Sequence, residues 1–230
     1  MKWTRQIKAR VFPLALFACV LCVSALPAAA HPHVFLDMKA DLGLTADHKL
    51  NTLTITWEFD EFYSAFAVEG FKKDAAGHYK QSDLDAILKI NLDNLKDDEW
   101  HYFTNINQSG KALTFGDAKP VGASFDNKTG RLTISFTLPL TTPVIPTKAS
   151  PVLIQIYDPT YYISVEFVKK NPLTLSGEGH DACTTSINVP DAEKIWSTLP
   201  KSAFTGGDVN VGAGFGSNFA STLTLICSPG

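Results

Sequence analysis

The residues best suited to chemistry are His31 and His33, which follow directly on Ala28-Ala29-Ala30. Cleavage after Ala30 makes His31 the first residue of the mature chain, so one residue carries both a free α-amino group and an imidazole. Such an amine has an ordinary pKa of about 7.7–8.0 and yields its proton to a metal near neutral pH. The imidazole of the same residue then closes a chelate ring. His33 stands two residues on, on the same side of an extended chain. Pro32 biases His31 toward an extended backbone. It also removes the second-position N–H, so a square-planar copper or nickel motif built on two deprotonated amides cannot form. Nitrogen donors of this kind suit Zn²⁺, with Ni²⁺, Co²⁺ and Cu²⁺ as alternatives, rather than Ca²⁺ or Mg²⁺. The competing reading is two unrelated surface histidines at a frayed terminus.

Carboxylates and further histidines could complete such a site or orient its imidazoles. Asp37 shares a strand face with His33, and Glu58, Asp60 and Glu61 lie at the end of the next strand. Asp158 sits in a turn, Tyr157-Asp158-Pro159-Thr160-Tyr161-Tyr162. His101 and the pair His180-Asp181 are more remote candidates. Structural roles compete at two of these positions: Asp60 as a helix N-cap, Asp158 as the head of an Asx-turn. His48 and His78 read as loop residues. Lys72 to Asp83 has the outline of a calcium loop around Gly77, but Lys72 and Ala76 occupy its first and fifth positions. Of its side chains only Asp74 is well placed as a ligand, so tight Ca²⁺ binding is not expected. No Gly-x-Ser-x-Gly, phosphate-binding glycine loop or His-Glu-x-x-His occurs, and the chain reads as a binding protein rather than an enzyme.

The elements that must hold these residues are mostly strands. Val34 to Leu44 and Leu50 to Phe59 alternate as a hairpin, which returns Trp57 to Asp60 to the neighbourhood of His31 and His33. Asp60 to Phe71 and Ser82 to Leu95 have helical spacing, with Asp60 and Ser82 as N-caps. Further strands are expected near 100–107, 111–116, 119–126, 130–138, 151–157, 161–168 and 184–189. The prolines at 139, 143, 146 and 151 predict an irregular crossing between. Asp191 to Leu199 reads as a short helix, Gly206 to Gly216 as a loop or poor strand, and Ser221 to Cys227 as an edge strand. The fold class is therefore mainly β: an antiparallel β-sandwich over 31–190 with a helix–loop–helix insertion at about 60–96, followed by a Gly-rich segment, 191–230.

Residues 1–30 have the makeup of a signal peptide: basic Lys2, Arg5, Lys8 and Arg10, an apolar run from Pro13 to Leu26, then small residues. No later segment is apolar for long enough to span a bilayer. Residues 31–230 carry 16 Lys and Arg against 23 Asp and Glu, a net charge of −7. That balance disfavours nucleic acid and anionic membranes as partners and suits attraction of cations. Cys19 and Cys22 leave with the leader, and in an exported chain Cys183 and Cys227 are expected to pair, the alternative being two buried thiols.

Four stretches taken together resemble the domain-of-unknown-function family 1007. They are His31-Pro32-His33-Val34-Phe35, Trp57-Glu58-Phe59-Asp60-Glu61-Phe62-Tyr63-Ser64, Phe136-Thr137-Leu138-Pro139-Leu140 and Tyr157-Asp158-Pro159-Thr160-Tyr161. The resemblance covers about 31–190. It implies a bacterial periplasmic protein that binds a transition metal and works beside an inner-membrane metal permease for zinc, nickel or cobalt. Two alternatives use the same residues differently. One is a β-sandwich that docks a protein partner through Phe62-Tyr63 and Tyr161-Tyr162 without metal. The other is a copper-dependent oxidase built on the terminal chelate.

Overall fold

A computed structural model of the chain describes residues 32–97, 101–198 and 214–228. Residues 1–30, where a signal peptide is expected, His31 and most of the 206–216 segment lie outside the described residues. Strands β1 (Val34–Leu44) and β2 (Leu50–Phe59) form the expected hairpin with the expected bounds, Leu36 opposite Phe59 and Leu42 opposite Leu53. Their alternate side chains, Leu36, Met38 and Leu42 with Leu53, Ile55 and Trp57, are buried. β6 (Arg131–Val144) pairs antiparallel with β2, and β5 (Lys119–Asp126) with β6. The other edge of β1 takes β8 (Ile163–Phe167) beside Val34–Met38 and β9 (Leu173–Ser176) beside Ala40–Gly43.

Both pairings on that edge are parallel, so the first sheet is mixed rather than wholly antiparallel. The chain reaches β8 from β7 (Val152–Ile156), which belongs to the second sheet. It crosses over at the end of β1 that holds Val34, and so runs in the same direction as β1. Around Lys169-Lys170-Asn171-Pro172 it leaves the ladder and returns: Val168 N–H donates to Met38 O, and Ala40 N–H to Pro172 O.

The second sheet has the order β10 (Cys183–Asn188), β11 (Thr222–Cys227), β7, β3 (Thr104–Gln108), β4 (Lys111–Ala112). β11 was expected at an edge but lies inside, between β10 and β7. Its Leu223, Leu225 and Cys227 are buried in the core, and both of its edges are paired. Cys183 sits directly opposite Cys227 and is disulfide-bonded to it. β6 also runs further than expected, through Pro139 to Val144. Its far half finds partners in the segment after β4: Thr141 N–H donates to Thr114 O, and Gly116 N–H to Pro139 O.

The inner faces of the two sheets make one core. Trp57 packs edge-on to Phe136 at 4.9 Å and lies 6.1 Å from Phe103, the residue just before β3. Helices α1 (Glu61–Ala67) and α2 (Gln81–Asn94) form the expected insertion, but α1 ends at Ala67 with Val68 as its C-cap, short of the expected Phe71. Asp60 caps α1 as expected. α2 starts one residue before Ser82, and Gln81 instead ties the helix to the sheet through Nε2 and the Ala123 carbonyl. Leu84, Ile87, Leu88 and Leu92 are the buried stripe of α2. A third helix, α3 (Ala192–Thr198), follows β10. Among the described residues no helix is long and apolar enough to cross a membrane.

The disulfide closes a loop with a sequence separation of 44. Closure of a loop that long is worth about 4 kcal/mol on the chain-entropy account. Replacing Cys183 and Cys227 by Ser should therefore lower the urea-unfolding free energy by about that amount. The reduced wild-type chain should unfold at the same midpoint as the variant; a midpoint equal to that of the oxidised chain would contradict this.

Candidate functional site at the start of the first strand

His33 lies at the entrance to β1 and is exposed. Its backbone N–H donates to Tyr162 O at 2.9 Å, and the Val34 N–H approaches the same carbonyl at 3.3 Å. The imidazole stacks on the Tyr162 ring, centroids 4.7 Å apart. Both main chain and ring are thus held by the turn that leads into β8. Tyr161, at φ 59°, adopts the left-handed conformation that this turn needs. Burial raises its phenol pKa, opposed by a hydrogen bond with Ser164.

Asp158 is what shapes the turn. Its Oδ1 accepts from the Thr160 N–H and hydroxyl, both at 2.8 Å, and its Oδ2 accepts from Ile163 N–H at 2.9 Å. The carboxylate is buried and occupied by these donors. Asp60 is similar. Its Oδ1 accepts from the N–H groups of Phe62 and Tyr63 at 2.8 and 2.9 Å, and its Oδ2 from Phe35 N–H at 2.7 Å. In return Asp60 N–H donates to Phe35 O at 2.9 Å. One side chain therefore caps α1 and fastens that helix to β1.

Asp37 lies on the outer face with His33 and Phe35, as the alternation requires, but it faces a cation. Arg131 Nη1 lies 2.8 Å from Asp37 Oδ2 and 2.6 Å from Glu58 Oε1, joining β6, β1 and β2 across the sheet. Asp37 first, then Glu58, hold the guanidinium pKa above its ordinary value against partial burial. The sequence alone does not single out Arg131. The signal was the register: it starts β6 on the outer face, the face where Asp37 and Glu58 already stand.

Glu61 is exposed in the first turn of α1. His101 is exposed in a short 3-10 turn, 101–103, edge-on to Phe115 with centroids 6.4 Å apart. Among the described residues no three His, Cys, Asp or Glu side chains gather as a group able to hold a metal. So His33, Asp37, Asp60, Glu61, His101 and Asp158 do not assemble into one ligand set. Asp60 and Asp158 are engaged by backbone donors and Asp37 by Arg131, while His31 lies outside the described residues.

In the loop before α2, Asp74 Oδ1 accepts from the N–H groups of Ala76 and His78, both at 2.9 Å. The His78 contact is the main reason its carboxyl pKa lies below the usual carboxylate range. The one well-placed acid of the calcium-like outline thus closes its own turn.

Comparison with known proteins adds two findings. A family model described as a protein of unknown function (DUF1007) matches residues 16–227. An uncharacterized protein of Haemophilus influenzae is 25% identical over 202 residues, 86% of this chain and 91% of that protein.

Two outcomes are expected. Asp60→Ala removes a helix cap and a charged acceptor, and should cost about 2–3 kcal/mol in denaturant unfolding. Asp60→Asn keeps the cap through its amide oxygen but turns an NH₂ toward Phe35 N–H, so it should fall between wild type and Ala. Second, calorimetric titration with Ca²⁺ should show no micromolar affinity.

Proposed function

The chain belongs to the DUF1007 family, and we propose that it is an exported transition-metal-binding protein, an accessory to an inner-membrane metal permease. The observation that carries this reading is His33, exposed at the head of β1 with its backbone fixed by Tyr162 O. Asp37, Glu58, Asp60 and Asp158 are engaged elsewhere, which supports a nitrogen site at the terminus over a carboxylate cage on the sheet. Cα atoms two residues apart lie at most about 7 Å apart. The amine and imidazole of a chain beginning at His31 therefore stay within reach of the His33 ring.

The metal is cargo in this reading. Two imidazoles and an amine favour Zn²⁺, Ni²⁺, Co²⁺ or Cu²⁺. The net charge of −7 over residues 31–230 draws cations toward the surface, and the disulfide suits the oxidising periplasm. The permease is the partner that the family resemblance implies.

The test is a titration with Zn²⁺, Ni²⁺ and Cu²⁺ of protein starting at His31, beside the same protein with one extra N-terminal Ala. The added residue separates the amine from the imidazole and should weaken binding by at least about tenfold, or 1.4 kcal/mol. His33→Ala should weaken it similarly. Equal binding by all three proteins would refute the terminal chelate, and no binding by any would refute the metal reading.

A further inference from the structure

Strand β8 lies at an edge of the first sheet, and its outer side is open. Two bonds fix its pairing with β1: Val34 N–H to Tyr162 O at 3.3 Å, and Val168 N–H to Met38 O at 3.0 Å. In a parallel ladder with Val34 opposite Ile163, these bonds turn the main-chain groups of Ser164 and Glu166 toward β1. Those of Ile163, Val165 and Phe167 then point the other way. Asp158 Oδ2 takes the Ile163 N–H. The Ile163 carbonyl and the N–H and C=O groups of Val165 and Phe167 have no hydrogen-bond partner among the described residues. The opposite edge of the sheet is blunted. There β5 carries Pro120, a register shift between Pro120 and Gly122, and an Ala123 carbonyl that accepts from Gln81 Nε2. β8 has neither proline nor bulge.

A recess of about 180 Å³ runs along the open side of β8. It is lined by Val165 and Phe167 of β8, by Val189 and Pro190 beyond β10, and by Phe219 and Ser221 ahead of β11. Phe219 is fixed by its stack on the buried Tyr161, centroids 4.0 Å apart, with Trp196 at 5.0 Å. Pockets for drug-sized ligands hold about 300–1,000 Å³, so the recess is small for one. It fits small side chains of a chain that runs past it. Unpaired N–H and C=O groups at strand spacing call for an extended backbone. A second copy does not supply one, because its own β8 stands beside the same Val189, Pro190 and Phe219. Two such walls would meet before the two strand edges did.

We propose that the open edge of β8 receives an extended segment of a partner protein. The segment adds as a strand beside Val165 and Phe167, with small apolar side chains entering the recess. Main-chain bonds hold it, and the recess selects side-chain size. Nothing in this depends on a metal at His31 or His33.

The test uses the full chain and a synthetic peptide that alternates valine and threonine, with a lysine at each end. Amide exchange is followed residue by residue by NMR, with and without the peptide. In the free chain Val165 and Phe167 should exchange quickly, Ser164 and Glu166 slowly. The peptide should slow Val165 and Phe167 by at least about tenfold. This measurement needs no variant. Two further peptides carry N-methyl groups on alternate amides, one peptide for each edge. At least one of them should bind at least about tenfold more weakly than the parent by fluorescence anisotropy, since a methylated amide donates no hydrogen bond. Val165→Pro removes an outward N–H without breaking a bond to β1. It should weaken binding of the parent peptide by at least about tenfold, and Val165→Ala, which keeps the N–H, should bind more tightly than the Pro variant. The proposal is overturned if the peptide leaves exchange at Val165 and Phe167 unchanged, if both methylated peptides bind as the parent does, or if the Pro variant binds as wild type does. It is also overturned if these two amides are already protected in the dilute free chain. Protection that appears only as the chain alone is concentrated would overturn it in favour of a second copy.

Discussion

Strand β1 has to satisfy backbone donors and acceptors along both edges, and the strands that do so come from widely separated parts of the chain. β2 covers one edge; β8 and β9 share the other, with Val168 and Pro172 supplying the junction. A buried strand left open on one side would carry several unmade hydrogen bonds, each costing about 1–3 kcal/mol. The Asp158 turn, the left-handed Tyr161 and the break at Asn171 all serve to bring the chain back along that edge. The position of His33 is a by-product of the same pairing.

The acids near this strand show how one residue type divides between two uses. Asp60 and Asp158 each gather three donors and act as fastenings, one between strand and helix, the other within a turn. Asp37 and Glu58 would repel across the β1–β2 pair, and Arg131 joins them instead. The oxygens of Asp37, Glu58, Asp60 and Asp158 are thereby engaged by groups of the protein itself.

Local patterns carried much of this into the sequence. Alternation and flanking turn residues marked β1 and β2 to the residue, because one face of each is buried throughout. The Asp60 cap and the Cys183–Cys227 bridge were legible for the same local reasons. What depends on distant partners was not. The parallel direction of β8 follows from the crossover between sheets, which no window of residues contains. β9 is only four residues long and follows a Lys-Lys-Asn-Pro run that reads as loop. β11 looked like an edge, yet both of its edges are paired, one with β10 and the other with β7. At the candidate site, Asp37, Asp60 and Asp158 had the right type and neighbourhood, but type says nothing of whether a carboxylate is already engaged. Arg131 was hidden because its partners lie on two other strands.

The parallel edge of β1 also bears on the order in which the chain matures. Val34 must wait for Ile163, and Ala40 for Leu173. A polypeptide that emerges N-terminus first, from a ribosome or through a translocation pore, can close the β1–β2 hairpin early. It cannot finish the first sheet until most of its length is through, and β11, at the far end, completes the second. Such long-range pairing slows folding. The first sheet is thus complete only once β9 is available, and the second only once β11 is.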